Sequence, residues 1–314
     1  MSHDKILKAD EVKAPALQLG ADTVGIAKAA PVENSDRFLQ WLKNGCAGDM
    51  HYLSKYENQR FDPGVLLSGA QSIIVIGKNY FPTEMDKDAM QGPYKVARYA
   101  WGLDYHDVLR KMLERLRAGL RKIIPDLKAR ICVDTAPFMD KYWAQRAGLG
   151  WQGKHSNLVS KEFGNWLVIG SLVIDMAVDL YDEAQADHCG TCTACIDSCP
   201  TGAIESPCMI NAAKCISYWT IETKSETIPD EIASSMHNWI FGCDICISVC
   251  PFNRFQKPNT EPDFSRLKEI SLVETGEAAR LSEEQFNEKF KHSPIFRPGL
   301  KGLQRNLSAL TDSK

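Results

Sequence analysis

The apolar positions in the first half of the chain alternate between helical and extended spacing. Residues 5–19 carry Ile6, Leu7, Val12, Ala14 and Leu17 at helical intervals, with Pro15 expected to kink or restart the helix. Residues 23–27 (TVGIA) read as a short buried strand, and residues 36–44 as a helix holding Phe38, Leu39, Trp41 and Leu42. Residues 72–77 (SIIVIG) form a β-branched run, the mark of a strand buried on both faces. The best amphipathic pattern covers residues 104–124, where Val108, Leu109, Met112, Leu113, Leu116, Leu120 and Ile123 share a face and Pro125 ends the run. Strands at 129–133 and 165–174 then flank a helix at 138–147. Strands alternating with helices predict an α/β (α+β) domain over residues 1–184. The acidic stretch 182–187 (DEAQAD) reads as a linker, followed by a cysteine-rich unit at 185–258 and an extension at 259–314.

Composition narrows the class. A chain of 314 residues favours about two domains. A net charge of −3 carries no global mark of nucleic-acid binding, though a local basic patch is compatible with it. The first residues, Met1-Ser2-His3-Asp4-Lys5, lack a hydrophobic signal core. The longest apolar stretch, 166–174, is far too short to span a bilayer. Eleven cysteines in such a chain point to metal ligation in a reducing compartment rather than to disulfides. The expectation is a cytoplasmic monomer with no membrane contact.

The cysteines supply the chemistry. The first run is Cys189-x2-Cys192-x2-Cys195-x3-Cys199-Pro200, the second Cys243-x2-Cys246-x3-Cys250-Pro251. The first has the bacterial ferredoxin spacing, in which three thiolates hold one 4Fe–4S cluster and the cysteine before proline crosses to another. That rule gives the first cluster Cys189, Cys192, Cys195 and Cys250. The second receives Cys199, Cys243 and Cys246 and needs one more ligand. Cys215 is preferred, because it opens an ordered-looking apolar stretch, whereas Cys208 follows a turn at Pro207. Paired C-x2-C motifs also bind zinc. The three-cysteine run followed by Cys-Pro fits a tetrahedral single-ion site poorly.

Residues 129–140 (ARICVDTAPFMD), 150–158 (GWQGKHSNL), 188–204 (HCGTCTACIDSCPTGAI), 215–222 (CISYWTIE), 242–253 (GCDICISVCPFN) and 302–310 (GLQRNLSAL) together resemble the epoxyqueuosine reductase family. The resemblance implies a cobalamin-dependent iron–sulfur enzyme acting on the anticodon loop of tRNA. It would reduce epoxyqueuosine to queuosine at the wobble position with electrons from an external donor. Asp134 matches the family's proton donor, and that role would call for a raised carboxyl pKa. Read from the residue alone, Asp134 could equally cap the helix that follows. Cobalamin contacts are expected from Arg60, Ala97, Asp134, Lys154, His155, Ser217 and Gly242. The Asp104-Tyr105-His106 triplet begins like a motif that supplies a histidine to cobalt, but Leu109 stands where that motif has glycine. The tail residues His292, Arg297, Lys301 and Arg305 form a modest basic set that could meet tRNA phosphates. Two other readings compete: a reductive dehalogenase-like cobalamin enzyme, and a non-catalytic ferredoxin-type carrier.

Overall fold

The structure is a computed structural model that describes residues 6–88 and 92–312; the N-terminal residues read above for a signal lie outside it. Four strands form its main sheet: β1 (Thr23–Lys28), β2 (Ser72–Asn79), β3 (Ala129–Cys132) and β4 (Leu167–Ile174). Their spatial order is β1-β2-β4-β3, and every neighbouring pair runs antiparallel. The architecture is therefore α+β, built on an antiparallel sheet. The continuous apolar run in β2 still follows from double coverage. Ile74 and Ile76 face a layer formed by helices α1 (Ala9–Gln18) and α2 (Tyr105–Ile123). Ile73 and Val75 face the opposite layer, with Trp143 and Ala144 of helix α3 (Asp140–Arg146). Side chains alternate across a strand, so burying all of β2 requires a layer on each side. Helix α1 runs unbroken through Pro15.

A second core lies beside the sheet. Residues Lys95–Val96 pair in parallel with Trp239–Phe241. Helices α4 (Ile216–Ile221) and α5 (Gly299–Asp312) pack around that ribbon. Val96, Ala97, Ile240, Phe241, Val273, Phe286, Leu303 and Leu310 share one apolar cluster. Residues 259–312 thus complete the core of the cysteine-rich unit together with a segment from the first half, across the divisions expected at 184/185 and 258/259. Asn306 fastens this assembly: its buried side-chain amide donates to the carbonyls of Thr220 at 2.8 Å and Ile240 at 2.9 Å. Among the described residues no helix is long and apolar enough to cross a membrane.

Candidate active site

The cysteines fall into two sets. Burial and the neighbouring thiols of Cys189 and Cys250 raise the Cys195 pKa, so these three face one another. Cys192 stands on the same loop, its N–H donating to the carbonyl of Cys189 at 3.0 Å. The Cys246 thiol is likewise raised by burial and by Cys215, Cys243 and Cys199. The thiols that act on Cys195 and on Cys246 are ones the crossed grouping would place beside them, Cys215 among those of the second set. Cys208 sits elsewhere, its thiol donating to the carbonyl of Gly153 at 3.3 Å. Two short helices, Ala194–Asp197 and Ile245–Ser248, pack together and carry Cys195 and Cys246. Zinc draws its thiolates to about 2.3 Å from one point. No group of three or more His, Cys, Asp or Glu among the described residues is gathered to hold a single ion. Four thiolates are the donor number that a cubane takes.

The opposite wall is built from the ends of β3 and α2. Asp134 follows β3 in the left-handed region, at φ 51°, a conformation that costs a non-glycine residue free energy and needs surrounding support. Its carboxylate Oδ2 lies 3.3 Å from His106 Nε2, and His106 Nδ1 lies 2.6 Å from Asp104 Oδ1. Asp104 caps α2, accepting from the His106 N–H at 2.9 Å. The Tyr105 ring stacks on the imidazole at 4.1 Å. Asp134 caps nothing, because α3 begins six residues on, at Asp140.

These contacts set the charges. Burial alone would lower the His106 pKa, but hydrogen bonds to Asp104 and Asp134 outweigh it and lift it to about 9. Burial would raise Asp134, yet His106 holds its carboxyl below the usual range. The carboxyl of Asp134 is therefore held low where a raised pKa was expected, because an imidazolium lies against it. Asp140 behaves oppositely: burial, then the charge of Asp134, lifts it to about 7.

Both walls open onto one cavity of about 1270 Å³, lined by Arg60, His106, Asp134, Cys215 and Ser217 among others. A smaller one of about 190 Å³ is lined by Ala97, Ser217 and Cys243, and Tyr99, Lys141 and Ser217 form walls of both. The larger cavity exceeds the 300–1,000 Å³ usual for small-molecule sites. Asp134 keeps 64% of its side-chain surface accessible because it projects into this space. Arg60 is 8% exposed, its guanidinium 5.5 Å over the Phe38 ring, and its Nε is buried without a hydrogen-bond partner.

The remaining expected contacts divide. Gly242, at φ 66°, leaves no room for a Cβ, which would meet the Ala97 Cβ at 2.5 Å; its need is close packing against Ala97. Lys154 lines neither cavity: its ammonium donates to the carbonyls of Gly190 at 2.7 Å and Cys192 at 2.8 Å, clasping the first cysteine loop. His155 also lines neither; it is buried, and burial lowers its pKa to about 4. Arg305 is occupied by the carbonyls of Trp219, Thr223 and Ser225, so the expected basic set loses it. Arg297 makes a two-pronged pair with Glu222 at 2.8 and 2.7 Å on the cavity rim. Sequence reasoning missed His106 and Lys141. The signal for His106 was the Asp-Tyr-His triplet opening a helix, weighed only as a cobalt motif. Nothing but its place after Asp140 marked Lys141, whose ammonium donates to Asn157 Oδ1 at 2.8 Å.

Comparison with known proteins accords with this arrangement. Residues 188–253 match the 4Fe-4S double cluster binding domain, and residues 60–135 match the family described as epoxyqueuosine reductase QueG, DUF1730. An epoxyqueuosine reductase of Cellulophaga algicola is 41% identical over 96% of this chain and 97% of its own length. One of Synechocystis sp. is 39% identical over 91% and 99%. A crystal structure of an epoxyqueuosine reductase with an epoxyqueuosine-modified tRNA-Tyr stem loop superposes with a TM-score of 0.82, at 32% identity, over 94% of this chain and 78% of that one. The Streptococcus thermophilus epoxyqueuosine reductase superposes with a TM-score of 0.83, at 28% identity, over 96% and 80%. Fold and cysteine arrangement thus define an iron–sulfur oxidoreductase of the double-cluster class. Within that class, the chain belongs to the epoxyqueuosine reductase family.

Proposed function

We propose that this protein reduces epoxyqueuosine to queuosine at the wobble position of tRNA, using electrons that pass through two 4Fe–4S clusters to a cobalamin in the large cavity. The observation that carries this reading is the shared cavity: Asp134 and Cys215, a proton source and a cluster ligand, line the same space. When bound, cobalamin would supply a strong one-electron reductant. Arg60 fits such a ligand, since its buried Nε lacks a partner and its positive charge suits a phosphate or an amide oxygen. Ala97, packed on Gly242, offers a small flat wall, and Ser217 a hydroxyl beside the second cysteine set.

Removing an epoxide oxygen as water takes two electrons and two protons, and breaks both C–O bonds to leave an alkene. Oxygen leaves poorly unless protonated, so a positioned acid is required. Asp134 takes that role at the end of β3. An anticodon base splays readily into a pocket, as single-stranded RNA bases do. Exposed Lys291 and Lys301 would meet the phosphates, in place of the internally bonded Arg305. Cys192 is exposed, which favours the first cluster as the point where an external donor delivers electrons. The test is incubation of cluster-loaded protein with cobalamin, a chemical reductant and tRNA carrying epoxyqueuosine, followed by nucleoside mass spectrometry. Queuosine is the expected product; unchanged epoxyqueuosine overturns the proposal.

A further inference from the structure

The proposed reaction consumes two protons, and one carboxyl delivers them only singly. We infer that His106 is the proton reservoir behind Asp134, a positioning and relay residue that works through the carboxyl and does not touch the substrate. His106 passes its Nε2 proton to the ionised Oδ2 and the carboxyl hands a proton on to the departing oxygen, while the Nδ1–H stays on the ring and keeps its bond to Asp104 throughout. The inference rests on the reaction proposed above.

The geometry supports it at each position. Ionised carboxylates only accept hydrogen bonds, so an imidazole lying 2.6 Å from one and 3.3 Å from another satisfies both only when both its nitrogens carry hydrogen. Asp104 is held as the cap of α2, and Tyr105 stacks on the ring, so the imidazole is fixed toward Asp134. After donating, neutral His106 keeps its Nδ1–H bond to Asp104 and takes a new proton from water in the open cavity, to which 22% of its side chain is exposed. The two electrons come from the cluster-fed reductant. The two protons reach oxygen through Asp134, one as each C–O bond breaks; His106 supplies each of them to the carboxylate and is reprotonated from water in between. The ionisable groups around the ring are Asp104 and Tyr105 on its own helix segment, Arg110 a turn further on, and Tyr99, Asp134 and Lys141 across the cavity.

The sign follows from the charged pair. His106 is an imidazolium below about pH 9 and loses that proton above it. The wild type is therefore expected to lose turnover as pH rises through about 9. His106→Gln, which keeps a polar side chain but does not titrate, should lower kcat by roughly 10²-fold with KM for tRNA little changed, and its alkaline limb should vanish. A purely structural histidine would leave the limb in place, and that result overturns the inference. An independent measurement is NMR titration of histidine-labelled, cluster-loaded protein without tRNA. His106 should titrate near 9 in the wild type and move down in Asp104→Asn; a wild-type value near 6.5 overturns the inference whatever the turnover. If the wild type makes no queuosine while His106 titrates near 9, the reaction falls and the relay with it, an outcome the titration separates from a failed relay.

Discussion

The two walls of the cavity are built on different principles. The cysteine wall is positioned by covalent spacing: gaps of two and three residues set where each thiol lies on the two packed short helices. The acid wall is positioned by hydrogen bonds: a residue at φ 51° held by a histidine that a helix cap holds in turn. Spacing survives wherever the fold survives. A hydrogen-bonded relay depends on protonation and responds to pH. On the proposed reading, the acid wall is therefore the part of the site whose geometry changes with pH.

The largest test of that contrast is on the cysteine wall. Cys250→Ser, which removes a thiol facing Cys195, should cut iron to at most half and abolish queuosine formation, whereas Cys208→Ser should keep both. Iron analysis and nucleoside mass spectrometry read the two variants side by side. On the acid wall, Asp134→Asn should retain its iron and its cavity but lose roughly 10²–10⁴-fold in turnover. Full activity there would remove the carboxyl from the chemistry. Behind the cysteine wall, Asn306→Ala leaves two buried carbonyls without donors and should destabilise the chain by about 2–4 kcal/mol in denaturant unfolding. The smallest effect concerns Asp140. With its pKa lifted to about 7, it binds a proton in the folded state that the unfolded chain has already lost. Its contribution to stability is full below pH 3.8 and disappears as pH rises through about 7, and Asp140→Asn should flatten that decline in unfolding measured across pH.

The grouping of the cysteines could be expected from the sequence, because ligand spacing is a local property that the fold does not rearrange. The four strands and the helices over residues 105–123 and 140–146 were equally legible, since apolar periodicity is local too. Strand direction was not. An antiparallel sheet covered on both faces leaves the same uninterrupted apolar run in β2 as a parallel one. His106 was seen but not placed, because its partner Asp134 lies 28 residues away and only the fold brings them together. Arg305 misled for the converse reason. A guanidinium that ties up three backbone carbonyls looks, in sequence, like one facing solvent. Lys154 was expected at the corrin from its glycine-rich turn; in the structure its ammonium clasps the first cysteine loop.

The exchange of one cysteine between the two runs has a consequence for how the protein matures. Cys199 acts on Cys246 alongside Cys243, and Cys250 acts on Cys195, so a cluster held by either set would stitch both runs together. Building the first one draws the second set into register, and dismantling either loosens the other. Iron insertion should therefore be concerted: chelation followed by native mass spectrometry should show chains holding eight irons or none, with four-iron intermediates scarce.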